Sequence, residues 1–183
     1  NPTDAPQTVT YTIIPISPSG CASGPSKIVI ITINPTPRIF PVPANTIQCD
    51  NITTNILLQS PSTFTSGFVT FKYTVTTTGL VTGYVTPVGG LPNNQVIADN
   101  LSNQTDIYRN VTYRIVPVSP TGCSDGLAKD VTVTVNPTPR VIPVNPNIKR
   151  DSSICYGGTT QIVLNSPTVM TSGAIRLDYT AAA

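Results

Sequence analysis

The 183-residue chain is predicted to be all-β, built from tandem β-sandwich modules, and three observations carry that expectation. Apolar and polar residues alternate along several segments, one long pattern occurs twice, and both copies run into the proline-rich joint Asn-Pro-Thr-Pro. Composition agrees, because Thr, Val, Ile, Pro, Ser and Asn dominate and Glu is missing altogether, which leaves few residues suited to an exposed helix face.

The repeat sets the module length. Val9-Thr10-Tyr11-Thr12-Ile13-Ile14-Pro15-Ile16-Ser17-Pro18-Ser19-Gly20-Cys21 returns as Val111-Thr112-Tyr113-Arg114-Ile115-Val116-Pro117-Val118-Ser119-Pro120-Thr121-Gly122-Cys123, an offset of 102 residues. Ile33-Asn34-Pro35-Thr36-Pro37-Arg38 returns at that offset as Val135-Asn136-Pro137-Thr138-Pro139-Arg140. Beyond a four-residue insertion in the polar stretch Asn147 to Ser153, the match resumes at an offset of 106 with Cys49 and Cys155, Ser60-Pro61 and Ser166-Pro167, and Tyr73 and Tyr179. The expected organisation is the end of one module over 1–34, a complete module over 35–136 and the start of a third over 137–183. At each boundary two prolines fix φ and push the preceding residue to an extended conformation, so Pro35, Pro37, Pro137 and Pro139 mark short, semi-rigid joints of an extended array.

Within the complete module, Val131, Val133 and Val135 alternate with polar residues from Lys129 onward, the pattern of a strand with one buried face. The same rule puts Val111, Tyr113 and Ile115 on one face of a second strand. It puts Val69, Phe71, Tyr73 and Val75 on one face of a third, with Phe68, Thr70, Lys72 and Thr74 opposite. Ile56 and Leu58 supply a shorter one. Turn signals at Gly79, Gly89-Gly90, Pro92-Asn93-Asn94 and Pro120-Thr121-Gly122 separate them, and Val111–Val118 with Lys129–Val135 form a terminal hairpin. Seven or so short strands in such a length fit an immunoglobulin-like sandwich, with a barrel as the rival. The recurrence of Tyr11 as Tyr113 and of Tyr73 as Tyr179 points to the core rather than to a sugar platform, while Tyr84 and Tyr108 have no counterpart.

Two cysteines per repeat, in a chain this rich in β structure, point to an oxidising extracellular setting. Confining the bond to the complete module pairs Cys49 with Cys123 and leaves Cys21 and Cys155 to partners outside the sequence. Against that pair, the two positions tend to fall at opposite ends of a simple sandwich. Bonds from Cys21 to Cys49 and from Cys123 to Cys155, or free thiols, remain open.

No enzyme is expected. The chain has no His, which removes Ser-His-Asp and Cys-His catalysis, and its eight acidic residues, all Asp, are scattered singly. Asp99, Asp106, Asp125 and Asp151 lie in or beside loops but form no Asp-x-Asp cluster of the kind calcium favours, and neither a metal nor a cofactor is expected. Asn51, Asn100, Asn103 and Asn110 each match the N-glycosylation acceptor pattern. A net charge of +2 gives no field to draw nucleic acid, and the apolar runs are too short for a spanning helix. The first residues show no charged leader followed by an apolar stretch, so an internal fragment is expected.

The ordered string Val-Thr-Tyr-x-Ile-x-Pro-x-Ser-Pro-x-Gly-Cys, an alternating Val-Thr strand, Asn-Pro-Thr-Pro, and a later Cys before an Ile-x-Leu strand resembles the PKD-like repeats of giant Bacteroidota surface proteins, among them the SprB-like gliding-motility adhesins. The resemblance covers almost the whole chain. It implies type IX secretion, a place at the outer cell surface, and service as a long filament. The implied partners are neighbouring modules, surface polysaccharide and the secretion or motility machinery. A spacer or carbohydrate-binding module of a secreted multidomain enzyme is the alternative.

Overall fold

The structure is a computed structural model, and it describes residues 1–40, 45–87, 89–120, 122–143, 153–159 and 162–182. The inserted stretch at 147–153 falls outside the described residues except for Ser153, as does Asp151.

The described residues form strands and no helix: β1 (Gln7–Ile13), β2 (Lys27–Ile33), β3 (Asn45–Cys49), β4 (Ile52–Thr53), β5 (Ile56–Leu57), β6 (Thr70–Thr77), β7 (Val81–Thr82), β8 (Leu91–Pro92), β9 (Val96–Ile97), β10 (Asn100–Asn103), β11 (Arg109–Val118), β12 (Lys129–Asn136), β13 (Ile142–Pro143) and β14 (Leu164–Asn165). No helix among them is long and apolar enough to cross a membrane.

The long alternating segments build one sheet in the order β3-β12-β11-β6-β8. β11 lies antiparallel to β12, Val111 facing Val133 and Tyr113 facing Val131, and antiparallel to β6, Ile115 facing Tyr73. β3 completes the edge by running parallel to β12, from Thr132 opposite Asn45 to Asn136 opposite Cys49. Opposite this sheet stand the order β4-β10-β7 and the pair β5-β9. Their strands are two to four residues long and come largely from 76–109, where alternation is too brief to read from the sequence.

Between the layers lies a single apolar core. From the long sheet it takes Phe71, Tyr73, Val111, Tyr113, Ile115, Val131, Val133 and Val135; from the other layer and its approaches come Ile56, Leu58, Val81, Ile97 and Leu101. Burying an aliphatic or aromatic side chain of this size contributes about 1.5–3 kcal/mol, which is what holds the two layers face to face. Phe68, on the outer face, is exposed, as period-2 geometry requires. The fold is an all-β, immunoglobulin-like sandwich.

The β1–β2 hairpin repeats β11–β12 in detail. Gln7 faces Ile33 and Ile13 faces Lys27, while Arg109 faces Val135 and Ile115 faces Lys129, the same register 102 residues later. Burial differs, and the reason is coverage. Tyr113, flanked through β11 and β12 by β6 and β3, is 0% exposed, whereas Tyr11 is 51% exposed because no strand among the described residues pairs with the outer edges of β1 and β2.

Candidate functional site

Because the strands carry a core rather than a cleft, the chemically distinctive places are the joints, the cysteines and the buried acid. Pro35, Pro37 and Pro137 are buried, and Pro139 is exposed. The loop from β11 to β12 accounts for the burial of Pro37. At Gly126 a Cβ would stand 1.9 Å from the Pro37 carbonyl oxygen and 2.7 Å from Pro117 Cγ, so only glycine lets the two backbones meet. The Gly126 N–H, donating to the Pro117 carbonyl at 2.9 Å, ties that loop to the end of β11. A cleft of about 400 Å³ opens beside it, lined by Asn1, Pro2, Thr36, Pro37, Leu127 and Ala128.

The joint holds groups that the proline motif does not announce. The Arg38 guanidinium donates from Nε to Asp4 Oδ1 at 2.7 Å, and its Nη2 pairs with the other oxygen of the same carboxylate. That guanidinium beside Asp4 holds the Asp4 carboxyl below its ordinary value, and the carboxylate in turn raises Arg38. Asn34 donates to the Thr65 hydroxyl at 3.2 Å and accepts from the Thr65 N–H at 3.1 Å. The sequence signal for these residues is their recurrence: Asp4 with Asp106, Arg38 with Arg140 and Asn34 with Asn136 stand at the same 102-residue offset.

All four cysteines are exposed, and Cys49 and Cys123 are not brought together. Cys49 stands opposite Asn136 at the far end of β12, while Cys123 lies in the loop before Lys129. The eight residues of β12 separate the two ends by about 25 Å, against a Cα separation of about 7 Å that a disulfide can bridge.

The aspartates are likewise dispersed by their partners. Asp106 pairs with Arg140 and Asp125 with Lys72, whose ammonium lowers the Asp125 carboxyl. Asp99 is not a solvent-facing loop residue but a buried one: its Oδ2 accepts the Tyr113 hydroxyl at 2.8 Å and the Val85 N–H at 3.2 Å. Its backbone exchanges hydrogen bonds with Thr54, Thr54 N–H to Asp99 carbonyl and Asp99 N–H to Thr54 hydroxyl, both at 2.8 Å. Burial first, and then this bond to Asp99, push the Tyr113 hydroxyl far above the ordinary tyrosine range. Tyr73 packs edge-on to Tyr113 with ring centroids 5.8 Å apart, so these two of the four repeated tyrosines lie in the core, whereas their counterparts Tyr179 and Tyr11 are exposed. Tyr84 and Tyr108 are exposed. Among the described residues no group of three or more metal-ligating side chains gathers.

Of the four Asn acceptor patterns, Asn103 is removed by its environment. Its side chain is buried, and its Nδ2 donates to the Ile107 carbonyl at 2.9 Å and the Val135 carbonyl at 2.8 Å, leaving the amide occupied.

No curated protein and no solved structure matches the chain. The PKD-like domain family matches residues 46–139, just over half of the sequence and the part that contains the whole core. The chain therefore belongs to the PKD-like domain family.

Proposed function

We propose that this chain is a structural and adhesive repeat segment of a large secreted protein that forms a cell-surface filament, exported by a type IX secretion system and serving surface attachment or gliding motility. The match to the PKD-like domain family, whose members are typically extracellular or surface modules, supports the reading. One observation carries it: the β1–β2 hairpin returns as β11–β12 in the same register 102 residues later, each followed by Asn-Pro-Thr-Pro. On this reading 1–34, 35–136 and 137–183 are parts of three successive modules, and the exposed flank of β1–β2 is taken by the rest of its own module.

The partners are then neighbouring modules of the same chain, surface polysaccharide and the secretion or motility machinery, and no catalytic role is assigned. Among the described residues Asp99 is engaged by Tyr113, Asp4 by Arg38, Asp106 by Arg140 and Asp125 by Lys72. The intact mass of the native protein tests the proposal. Hundreds of kilodaltons with many repeats is the expected result; a mass near the 19.3 kDa of this chain overturns it, and a single catalytic domain on the same polypeptide replaces it with a spacer role.

A further inference from the structure

The turn Asn1-Pro2-Thr3-Asp4-Ala5 and the turn Asn103-Gln104-Thr105-Asp106-Ile107 are one structure made twice. In the first, Asn1 Nδ2 donates to the Ala5 carbonyl at 2.9 Å and to the Ile33 carbonyl at 2.8 Å; in the second, Asn103 Nδ2 donates to Ile107 and Val135 at the same two distances. The Thr3 hydroxyl and N–H donate to Asn1 Oδ1 at 2.8 and 3.0 Å, and those of Thr105 donate to Asn103 Oδ1 at 2.8 and 3.0 Å. Each turn is thereby braced against the end of its own hairpin and holds an aspartate out toward the residues that follow the joint.

The receiving side is also made twice. Arg38 Nε donates to Asp4 at 2.7 Å, and Arg140 Nε donates to Asp106 at 2.7 Å. The Arg38 N–H donates to the Ser62 hydroxyl and the Arg140 N–H to the Thr168 hydroxyl, both at 2.9 Å, while Ser60 and Ser166 donate to the two arginine carbonyls. The Asp4 carbonyl accepts from Thr63 N–H and the Asp106 carbonyl from Val169 N–H, both at 2.7 Å. Asn136 meets Thr171 through the same two bonds as Asn34 and Thr65, at 3.1 and 2.9 Å. Neighbouring residues vary between the copies, Pro2 against Gln104 and Thr63 against Val169, while the bonds named above recur; the guanidinium of Arg38 spans both oxygens of Asp4, and that of Arg140 meets Oδ1 of Asp106 with both nitrogens.

We propose that the Asn-x-Thr-Asp turn is a plug, and that Arg38 with Ser60, Ser62, Thr63 and Thr65 is its socket, by which each unit of the array docks on the next in one fixed orientation. The socket's occupant is the plug of the preceding unit of the same chain. The proposal deepens the filament reading and rests on it. An exposed ion pair alone contributes little, because water and salt screen it and two long side chains must be held still. Here a two-toothed guanidinium–carboxylate contact, a backbone bond and a two-bond amide contact act on different sides of a covalent joint, where closure is intramolecular and orientation is over-determined.

The test is an electron-spin distance measurement on the full 183-residue chain, with its four cysteines replaced by serine and nitroxides placed through Thr10→Cys in β1 and Thr74→Cys in β6. The parent chain is expected to give one narrow distance distribution. Asp4→Ala and Arg38→Ala are each expected to broaden it roughly two-fold as the joint reverts to a proline linker. Asp130→Ala, which removes the exposed pair with Arg114 inside the sheet, leaves the width unchanged. A parent distribution already as broad as that of Asp4→Ala, an unchanged width in both joint variants, or equal broadening by Asp130→Ala overturns the proposal. Far-ultraviolet circular dichroism confirms that each variant is folded. None of these outcomes touches the repeat count, which the mass of the native protein decides separately.

Discussion

Replacing Tyr113 by Phe removes one hydroxyl from the middle of the sandwich and nothing else. The ring keeps its place among Val111, Ile115 and Val131 and its edge contact with Tyr73, so the packing contribution is held constant. What is lost is the 2.8 Å bond to Asp99, a buried carboxyl that keeps only the 3.2 Å Val85 N–H on that oxygen. Hydrogen bonds to ionisable groups are worth about 1.5–3 kcal/mol, and a buried acceptor left short of a donor sits at the upper part of that range. A loss of about 2 kcal/mol corresponds to a fall in melting temperature of about 10 °C for a unit of this size. Thermal and urea denaturation followed by circular dichroism measure both. A double-mutant cycle with Asp99→Asn isolates the pair, with a coupling of about 1 kcal/mol or more expected. A Tyr113→Phe variant within about 0.5 kcal/mol of the parent would refute the view that this bond ties the β9–β10 loop to the long sheet.

Further outcomes follow from the same structure. Tyr113 and Tyr73 both have folded pKa values raised by burial, so their contribution is fully present below the unfolded tyrosine value of about 10 and is lost as pH rises through the folded values. The urea midpoint should therefore fall above about pH 10, and Tyr113→Phe should reduce that slope by up to about 1.4 kcal/mol per pH unit. Gly126→Ala drives a methyl group into the Pro37 carbonyl oxygen and should destabilise the chain by about 2–3 kcal/mol in urea, together with faster proteolysis near residue 37. Asn103→Ala removes one donor from the Val135 carbonyl and one from the Ile107 carbonyl, which keeps the Thr105 hydroxyl, and takes the acceptor from the Thr105 turn. A loss of about 2–3 kcal/mol is expected there, and a stability equal to the parent's would show that water replaces the amide at no cost.

How much of this was legible depends on the range over which each signal acts. β6, β11 and β12 are eight to ten residues long, so alternation has room to show, and the inward set Val111, Tyr113, Ile115, Val131, Val133 and Val135 lies in the core. The strands β7 to β10 span two to four residues, too few to display a period, and the parallel seating of β3 on β12 joins residues more than eighty apart. Asp99 looks like a turn residue because its partner Tyr113 is fourteen positions away on another strand. The paired aspartate and arginine of each joint stand 34 residues apart, so their recurrence at 102 residues is visible in the sequence while their contact is not.

The topology also fixes how an array of such units bears tension along its length. β3 begins the complete core unit and β12 ends it, and the two are parallel neighbours. A pull entering ahead of Asn45 draws β3 backward along its axis, while a pull leaving after Asn136 draws β12 forward along the adjacent track. The five register pairs from Thr132–Asn45 to Asn136–Cys49 are then sheared together instead of being opened one after another from an end. Beneath them, Val133 and Val135 are anchored in the core, so β12 cannot slide without dragging apolar surface into water. The joints carry the same load through exposed polar contacts and no core. In an array of the kind proposed, the exposed Asp–Arg contacts would therefore yield before the parallel β3–β12 seam, and that seam would set the strength of the unit.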